Sequence, residues 1–97
     1  MNKDIAKFRS EISTAAENLV LTHGTKTAIQ KAFRAALAKY ASNGKVTFGD
    51  DNAEKSVDFS FTASLVGTDG VYYDVVVYYA TCRKKGYLVV TEVDLIA

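Results

Sequence analysis

The sequence predicts a two-layer α+β domain, with an N-terminal antiparallel helical hairpin packed on one face of an antiparallel meander sheet of three or four strands. Residues 3–43 repeat apolar side chains at three- and four-residue intervals, as helices do. Residues 56–66 alternate them, as strands do, and turns that end in glycine separate this segment from two further segments rich in valine and other strand-forming residues. The chain has 97 residues, 48% hydrophobic, and no proline, which is the size and composition of one globular domain, 1–97.

The first helix is predicted over residues 3–22. Its apolar residues recur along one stripe, which must be buried against the rest of the domain. Gly24 follows the last apolar residue, where a left-handed glycine commonly ends a helix. The stripe consists of Ile5, Phe8, Ile12, Ala15, Ala16 and Leu19.

The second helix is predicted over residues 27–43. Thr27 and Gln30 have the spacing of a capping box, in which each side chain bonds a free backbone N–H of the first turn. Gly44 is placed to end the helix. Because about four residues join the two helices, they form an antiparallel hairpin. The buried stripe consists of Ile29, Ala32, Phe33, Ala36, Leu37 and Tyr40.

Strands are predicted at residues 45–48, 56–66, 71–82 and 87–96, the first of them short. Three-residue hairpin loops that end in Gly70 and Gly86 would set their register, since glycine readily takes the left-handed position of such loops. This register makes one face apolar across three strands, and the two helices are expected to cover it. The predicted pairs include Leu65 with Tyr73, Ala63 with Val75, Phe61 with Val77, Phe59 with Tyr79, Val75 with Leu95, Val77 with Val93, Tyr79 with Thr91, and Thr81 with Val89.

The opposite face of the sheet is the main candidate for function. Its central strand, "VYYDVVVYYATC", is apolar on both faces, yet no helix remains to cover the second one. An exposed apolar patch of several hundred Å² commonly marks an interaction site. Three alternatives stay open: an ordinary solvent face, a homodimer interface, and a site for a foreign protein. The predicted partner-binding residues are Tyr72, Val76, Tyr78, Leu88 and Val90.

Charge provides a second candidate surface. Residues 1–45 contain eight bases and three acids, a net charge of +5, whereas residues 46–97 contain four bases and eight acids, a net charge of −4. The two halves could simply attract each other, or the basic helix and the "RKKG" turn could bind an acidic partner or phosphates. Nucleic-acid binding is therefore an alternative function. The predicted basic contacts are Lys31, Arg34, Lys39, Arg83, Lys84 and Lys85.

No motif for catalysis, a metal or a cofactor is recognised, so none of these is predicted. The acidic turn at residues 49–55 lacks the alternating ligands and the glycine of a calcium loop. His23 has no neighbouring cysteine or histidine with which to bind a metal. Cys82 is the single cysteine and is interpreted as structural; it favours a reducing compartment. With no signal peptide evident, a cytoplasmic location and no membrane partner are expected.

The order of elements, a helical hairpin followed by an antiparallel meander, resembles that of the small ribosome-dependent toxin ribonucleases. In that family a strand precedes the helices, which this chain lacks because its first helix begins near residue 3. Basic residues and a tyrosine near the carboxyl end perform the cleavage there. The resemblance implies a ribonuclease as the enzymatic alternative, with Arg83, Lys84, Lys85 and Tyr87 as its candidates.

The preferred prediction is a non-catalytic, small protein-binding module. It would act through the uncovered Tyr/Val face of the sheet or through the basic face of the second helix. Small single domains without an active-site motif are commonly inhibitors or accessory, regulatory factors of phages and other mobile elements, and this role is expected here. The partner is expected to be another protein or a second copy of the chain.

Overall fold

A computed structural model describes residues 2–50, 59–83 and 86–96 of the chain. Five strands form one antiparallel sheet in the order β1-β5-β4-β3-β2, and two helices complete the α+β fold. The predicted class is confirmed, although the sheet has five strands rather than three or four. The elements are α1 (Asn2–Glu17), β1 (His23–Gly24), α2 (Lys26–Leu37) with a 3-10 turn (Ala38–Tyr40), β2 (Thr47–Asp50), β3 (Phe59–Val66), β4 (Tyr72–Thr81) and β5 (Leu88–Ile96).

The first helix is shorter than predicted because the residues after it join the sheet. Leu21 takes a left-handed backbone conformation, with φ of 75°, in place of the expected Gly24. Its N–H donates to the Val90 carbonyl at 2.7 Å, and the Val90 N–H donates to the Thr22 carbonyl at 3.0 Å. Since these bonds satisfy backbone groups that another helical turn would have used, the chain leaves the helix and forms β1, with His23 opposite Val89.

The second helix begins earlier than predicted. Thr25, rather than Thr27, is its N-cap, and the Thr25 hydroxyl accepts a hydrogen bond from the Ala28 N–H at 3.2 Å. Because β1 ends at Gly24, Thr25 is still extended and can cap the first turn. The helix then tightens into the 3-10 turn, and Gly44, with φ of 70°, reverses the chain towards β2.

The core lies between the helices and one face of the sheet, as predicted. Phe33 of α2 meets Phe61 of β3 edge to face, with ring centroids 6.0 Å apart. The predicted apolar stripes of both helices contribute side chains to this core, although the side chain of Ile5 lies outside the described residues. The buried set is Ile12, Ala16, Ile29, Phe33, Leu37, Ala41, Val46, Phe61, Ala63, Leu65, Tyr73, Val75, Val77, Tyr79 and Val90.

The hairpin of β3 and β4 has the predicted register. Phe61 pairs with Val77, and Leu65 pairs with Tyr73. Gly70 takes the left-handed position, with φ of 82°, at the end of the predicted three-residue loop. The turn chemistry and the alternation of β3 therefore sufficed to align this pair of strands.

The hairpin of β4 and β5 departs from its predicted register at a β-bulge next to Tyr78 and Tyr79. The predicted pairs of Val75 with Leu95 and Val77 with Val93 are present. Beyond the bulge, Tyr79 pairs with Val90 rather than Thr91, and Thr81 pairs with Leu88 rather than Val89. Thr91 is the extra residue of β5. A bulge of this kind reverses which side chains face the core in the part of β5 that precedes it, residues 88–90.

Candidate docking face of the sheet

The outer face is the side of the sheet that points away from the helices. No described helix covers it, and several of its large apolar side chains are exposed: Tyr72 by 58%, Ile96 by 52% and Val66 by 41%. Val76 and Tyr78 are half-buried by their neighbours in the sheet. By register the outer face comprises His23 of β1, Thr47 and Gly49 of β2, Ser60, Thr62, Ser64 and Val66 of β3, Tyr72, Asp74, Val76, Tyr78 and Ala80 of β4, and Val89, Glu92, Asp94 and Ile96 of β5.

Two residues predicted for this face lie on the other side. Val90 is fully buried in the core, and Leu88 packs against it. The bulge at Thr91 is the physical reason, because it turns the start of β5 over and presents Val89 outwards instead. The sequence placed Leu88 and Val90 wrongly. Tyr72, Val76 and Tyr78 do lie on the outer face, and they are called the β4 column below.

The outer face changes chemistry from one strand to the next. Val76 lies between Thr62 of β3 and Asp94 of β5. In the next row Tyr78 lies between Ser60 and Glu92. A line of hydroxyl groups therefore borders the β4 column on one side, and a line of carboxylates borders it on the other.

A third carboxylate, that of Asp74, lies within the β4 strand itself. The Ser64 hydroxyl donates to Asp74 Oδ1 at 2.7 Å, which positions this side chain towards β3. Next to it, a groove of about 140 Å³ opens at the end of the outer face beside Tyr72. The groove is lined by Asn43, Lys45, Thr47, Ser64, Leu65, Val66 and Tyr72.

Acidic side chains predominate on the strands of the outer face, whereas the helices carry most of the bases together with the acids Glu11 and Glu17. The strand residues of the outer face include three acids, Asp74, Glu92 and Asp94, and no Lys or Arg, whereas Lys45, before β2, lines the groove beside Tyr72. The bases Lys7, Arg9, Lys31, Arg34 and Lys39 belong to the helices or the turn after them. Attraction between the two layers does not account for this arrangement, because these three acids point away from the helices.

The predicted basic residues do not form one cluster. The Arg34 guanidinium lies over the ring of Phe48 in β2, 5.1 Å from its centroid. The Lys39 ammonium lies over Tyr40, at 5.2 Å, in a groove shared with α1. Arg34 of α2 and Lys39 of the 3-10 turn are therefore held towards different neighbours, and Lys31, which precedes both, is exposed.

The remaining basic candidates are at the turn between β4 and β5. Arg83 and Tyr87, which the toxin resemblance implied, are both exposed there. The Cys82 N–H donates to the Tyr87 carbonyl at 2.9 Å and closes this turn. Lys84 and Lys85 lie outside the described residues.

A partly buried hydrogen bond lies at the opposite end of the molecule, in the turn between β3 and β4, and sequence analysis did not find it. The Tyr73 hydroxyl donates to Asp69 Oδ2 at 2.6 Å, and Asp69 Oδ1 accepts from the Val71 N–H at 3.0 Å. Burial, the hydrogen bond to Asp69 and the negative charge of Asp69 together raise the pKa of Tyr73 to about 12, against a lowering by Arg9. Tyr73 is therefore a neutral structural donor at ordinary pH.

The described residues hold no group of three or more His, Cys, Asp or Glu side chains that could bind a metal ion. Most of the acidic turn, residues 51–55, lies outside them. His23 is exposed on β1, and Cys82 is half-buried at the end of β4. Neither helix within the described ranges is long and apolar enough to cross a membrane.

Comparison with known proteins gave no relative. No protein-family model matches the chain, and no curated protein or solved structure matches it either. Function must therefore be inferred from the geometry of the chain itself.

Proposed function

We propose that the chain is a non-catalytic protein-binding module that acts through its outer sheet face. The observation that supports this most strongly is the uncovered β4 column, on a central strand whose other face is buried from Tyr73 to Tyr79. Tyrosine is favoured at protein interfaces because it is large, rigid and amphipathic. A folded domain of this size gains little in stability from a 58% exposed Tyr72 at the end of its central strand.

The outer face is a better candidate than the basic helix. Val76 and Tyr78 are successive outward side chains of β4, and Tyr72 pairs with Val66 of β3. Arg34 and Lys39, in contrast, are held towards different neighbours. A rigid sheet also offers its side chains in fixed positions, which lowers the entropy lost on binding. We propose that the module is an inhibitor or accessory factor, the role expected of a small domain of the phage or mobile-element type.

A site-specific photo-crosslinking experiment tests this function. A photoreactive phenylalanine analogue replaces Tyr72 on the outer face or, in a second version, Lys31 on α2. Each version is irradiated in cells that express the chain. We expect a protein adduct from position 72, because that side chain is the most exposed member of the β4 column.

Competition by unlabelled protein identifies the surface that binds the crosslinked partner. Excess wild-type protein should suppress the adduct, whereas excess Tyr78→Asp protein should not, because a charge in the β4 column disrupts an apolar contact. Circular dichroism must first show that Tyr78→Asp is folded. Adducts formed only from position 31, or equal competition by both proteins, would assign binding to another surface.

A further inference from the structure

We infer that the occupant of the outer face is a cationic amphipathic segment of another protein. Its apolar side would lie on the β4 column, and its Lys or Arg side chains would extend towards the carboxylates of β5. This inference rests on the proposed function and specifies the chemistry of the partner. It follows from the order of outward side chains across the face, which are mainly hydroxyl-bearing on β3, apolar on β4 and acidic on β5.

The two β5 carboxylates are available for such a contact. Glu92 and Asp94 are exposed, and neither has an ion-pair partner among the described residues. They are two residues apart on one strand, so their side chains leave the same face about 7 Å from each other. Basic side chains at alternate positions of an extended partner, or one turn apart on a helix, have a similar separation.

The apolar and acidic groups are also in direct register. Tyr78 lies beside Glu92, and Val76 lies beside Asp94. A partner whose apolar residues contact Tyr78 and Val76 would therefore bring its flanking residues onto the carboxylates. Cations at those flanks would gain an ion pair, whereas acids there would meet like charges.

Charge argues against a second copy as the occupant. A symmetric dimer formed through two outer faces would bring six carboxylates, three from each copy, into one interface. The strand residues of that face contribute no Lys or Arg to neutralise them, and Lys45 lines the groove at its Tyr72 end. Burying unpaired carboxylates is costly, so a foreign cationic partner suits the face better than self-association does. Acidic proteins and nucleic acids are disfavoured for the same reason.

Synthetic peptides provide a direct test with defined probes. Three amphipathic peptides of roughly 14 residues, about four helical turns, share a leucine face and carry Lys, Gln or Glu on the other. Binding of each fluorescent peptide to the full chain is measured by anisotropy at low and high salt. We expect the Leu/Lys peptide to bind tightest and to weaken as salt increases.

Matched charge variants locate the contact. Glu92→Gln with Asp94→Asn removes two charges from the outer face, and Glu11→Gln with Glu17→Gln removes two exposed charges from α1. We expect the first pair to weaken Leu/Lys binding about fivefold or more, and the second pair to change it less than about twofold. Equal losses from both pairs would overturn the inference, since they would show attraction by overall charge.

Three further outcomes distinguish failure of this inference from failure of the proposed function. If Leu/Gln binds as tightly as Leu/Lys and Tyr78→Asp abolishes both, the face is a docking site but its partner is not cationic. If Tyr78→Asp leaves Leu/Lys binding unchanged, the peptide does not use the outer face, and both proposals are wrong. A dimer that Tyr78→Asp dissociates would assign the face to a second copy and overturn the cationic partner alone.

Discussion

Tyr78 and Glu92 form the last cross-strand pair before the register of β4 and β5 shifts at the bulge. One residue further along β4, Tyr79 pairs with Val90, and both side chains are in the core. The bulge thus determines which part of β5 belongs to the outer face. It leaves two carboxylates beside the β4 column and turns Val90 inwards.

The bulge can be tested by deletion. Removing Thr91 should cost less than about 1.5 kcal/mol of the free energy of unfolding, because Thr91 has no partner and its loss leaves all other pairs in place. Removing Val90 shortens the chain equally but deletes a fully buried side chain, so it should cost at least about 2 kcal/mol. Urea denaturation measures both. Similar losses from the two deletions would place the extra residue elsewhere.

Substitution by aspartate should destabilise the fold much more at Val77 than at Val76, the residue before it on β4. Val77 is fully buried, so Val77→Asp should cost about 4 kcal/mol or prevent folding. Val76 is half-buried on the outer face, and Val76→Asp should cost about 1 kcal/mol, partly from repulsion by Asp94. Denaturant titration followed by circular dichroism gives both values. A stable, folded Val77→Asp protein would refute the assignment of the two faces.

Gly67 allows a close approach between the sheet and α1. A Cβ on this residue would lie 2.8 Å from Cε2 of Phe8 and 2.9 Å from Cε2 of Tyr73, closer than such atoms can pack. Gly67→Ala should therefore cost about 1–3 kcal/mol. Gly49→Ala is the control, because its added methyl group meets no atom within 4 Å, and it should be nearly neutral. A smaller effect at Gly67 than at Gly49, measured by thermal unfolding, would contradict this packing.

The Tyr73 hydroxyl should give the fold a dependence on alkaline pH. Its pKa is raised from 10.0 to about 12 in the folded protein, so the stability it provides is complete below pH 10 and is lost as the pH rises through 12. Between these values the free energy of unfolding should fall more steeply for wild type than for Tyr73→Phe. Denaturation at a series of pH values measures both slopes. Parallel slopes would mean that the Tyr73 pKa is not raised.

Sequence predicted well the features for which the spacing of apolar residues allows only one arrangement. The β3–β4 register is one of them, since a shift of one residue would put serines of β3 opposite Tyr73 and Val75 in the core. The helical stripes around Ile12 and Phe33 are similarly unambiguous. The class of the fold and the uncovered outer side of β4 follow from these elements.

The features that sequence missed depend on tertiary contacts. Val89 and Val90 are equally apolar, so no pattern decides which of them faces the core, and the bulge was not foreseen. The strand β1 contains only His23 and Gly24, which is too short for any periodicity. Its pairing with β5 also explains why α1 ends early. The separation of Arg34 and Lys39 depends on which rings lie beside them, which spacing does not reveal.

The central claim is that the outer face of the sheet is open in the isolated protein and serves to bind a partner. Sedimentation velocity of the untagged protein over a hundredfold range of concentration tests it most directly. We expect a monomer of 10.6 kDa throughout, with the β4 column available to a partner. A dimer that persists across the range in wild type and dissociates in Tyr78→Asp would contradict this, because the face would already be occupied by a second copy.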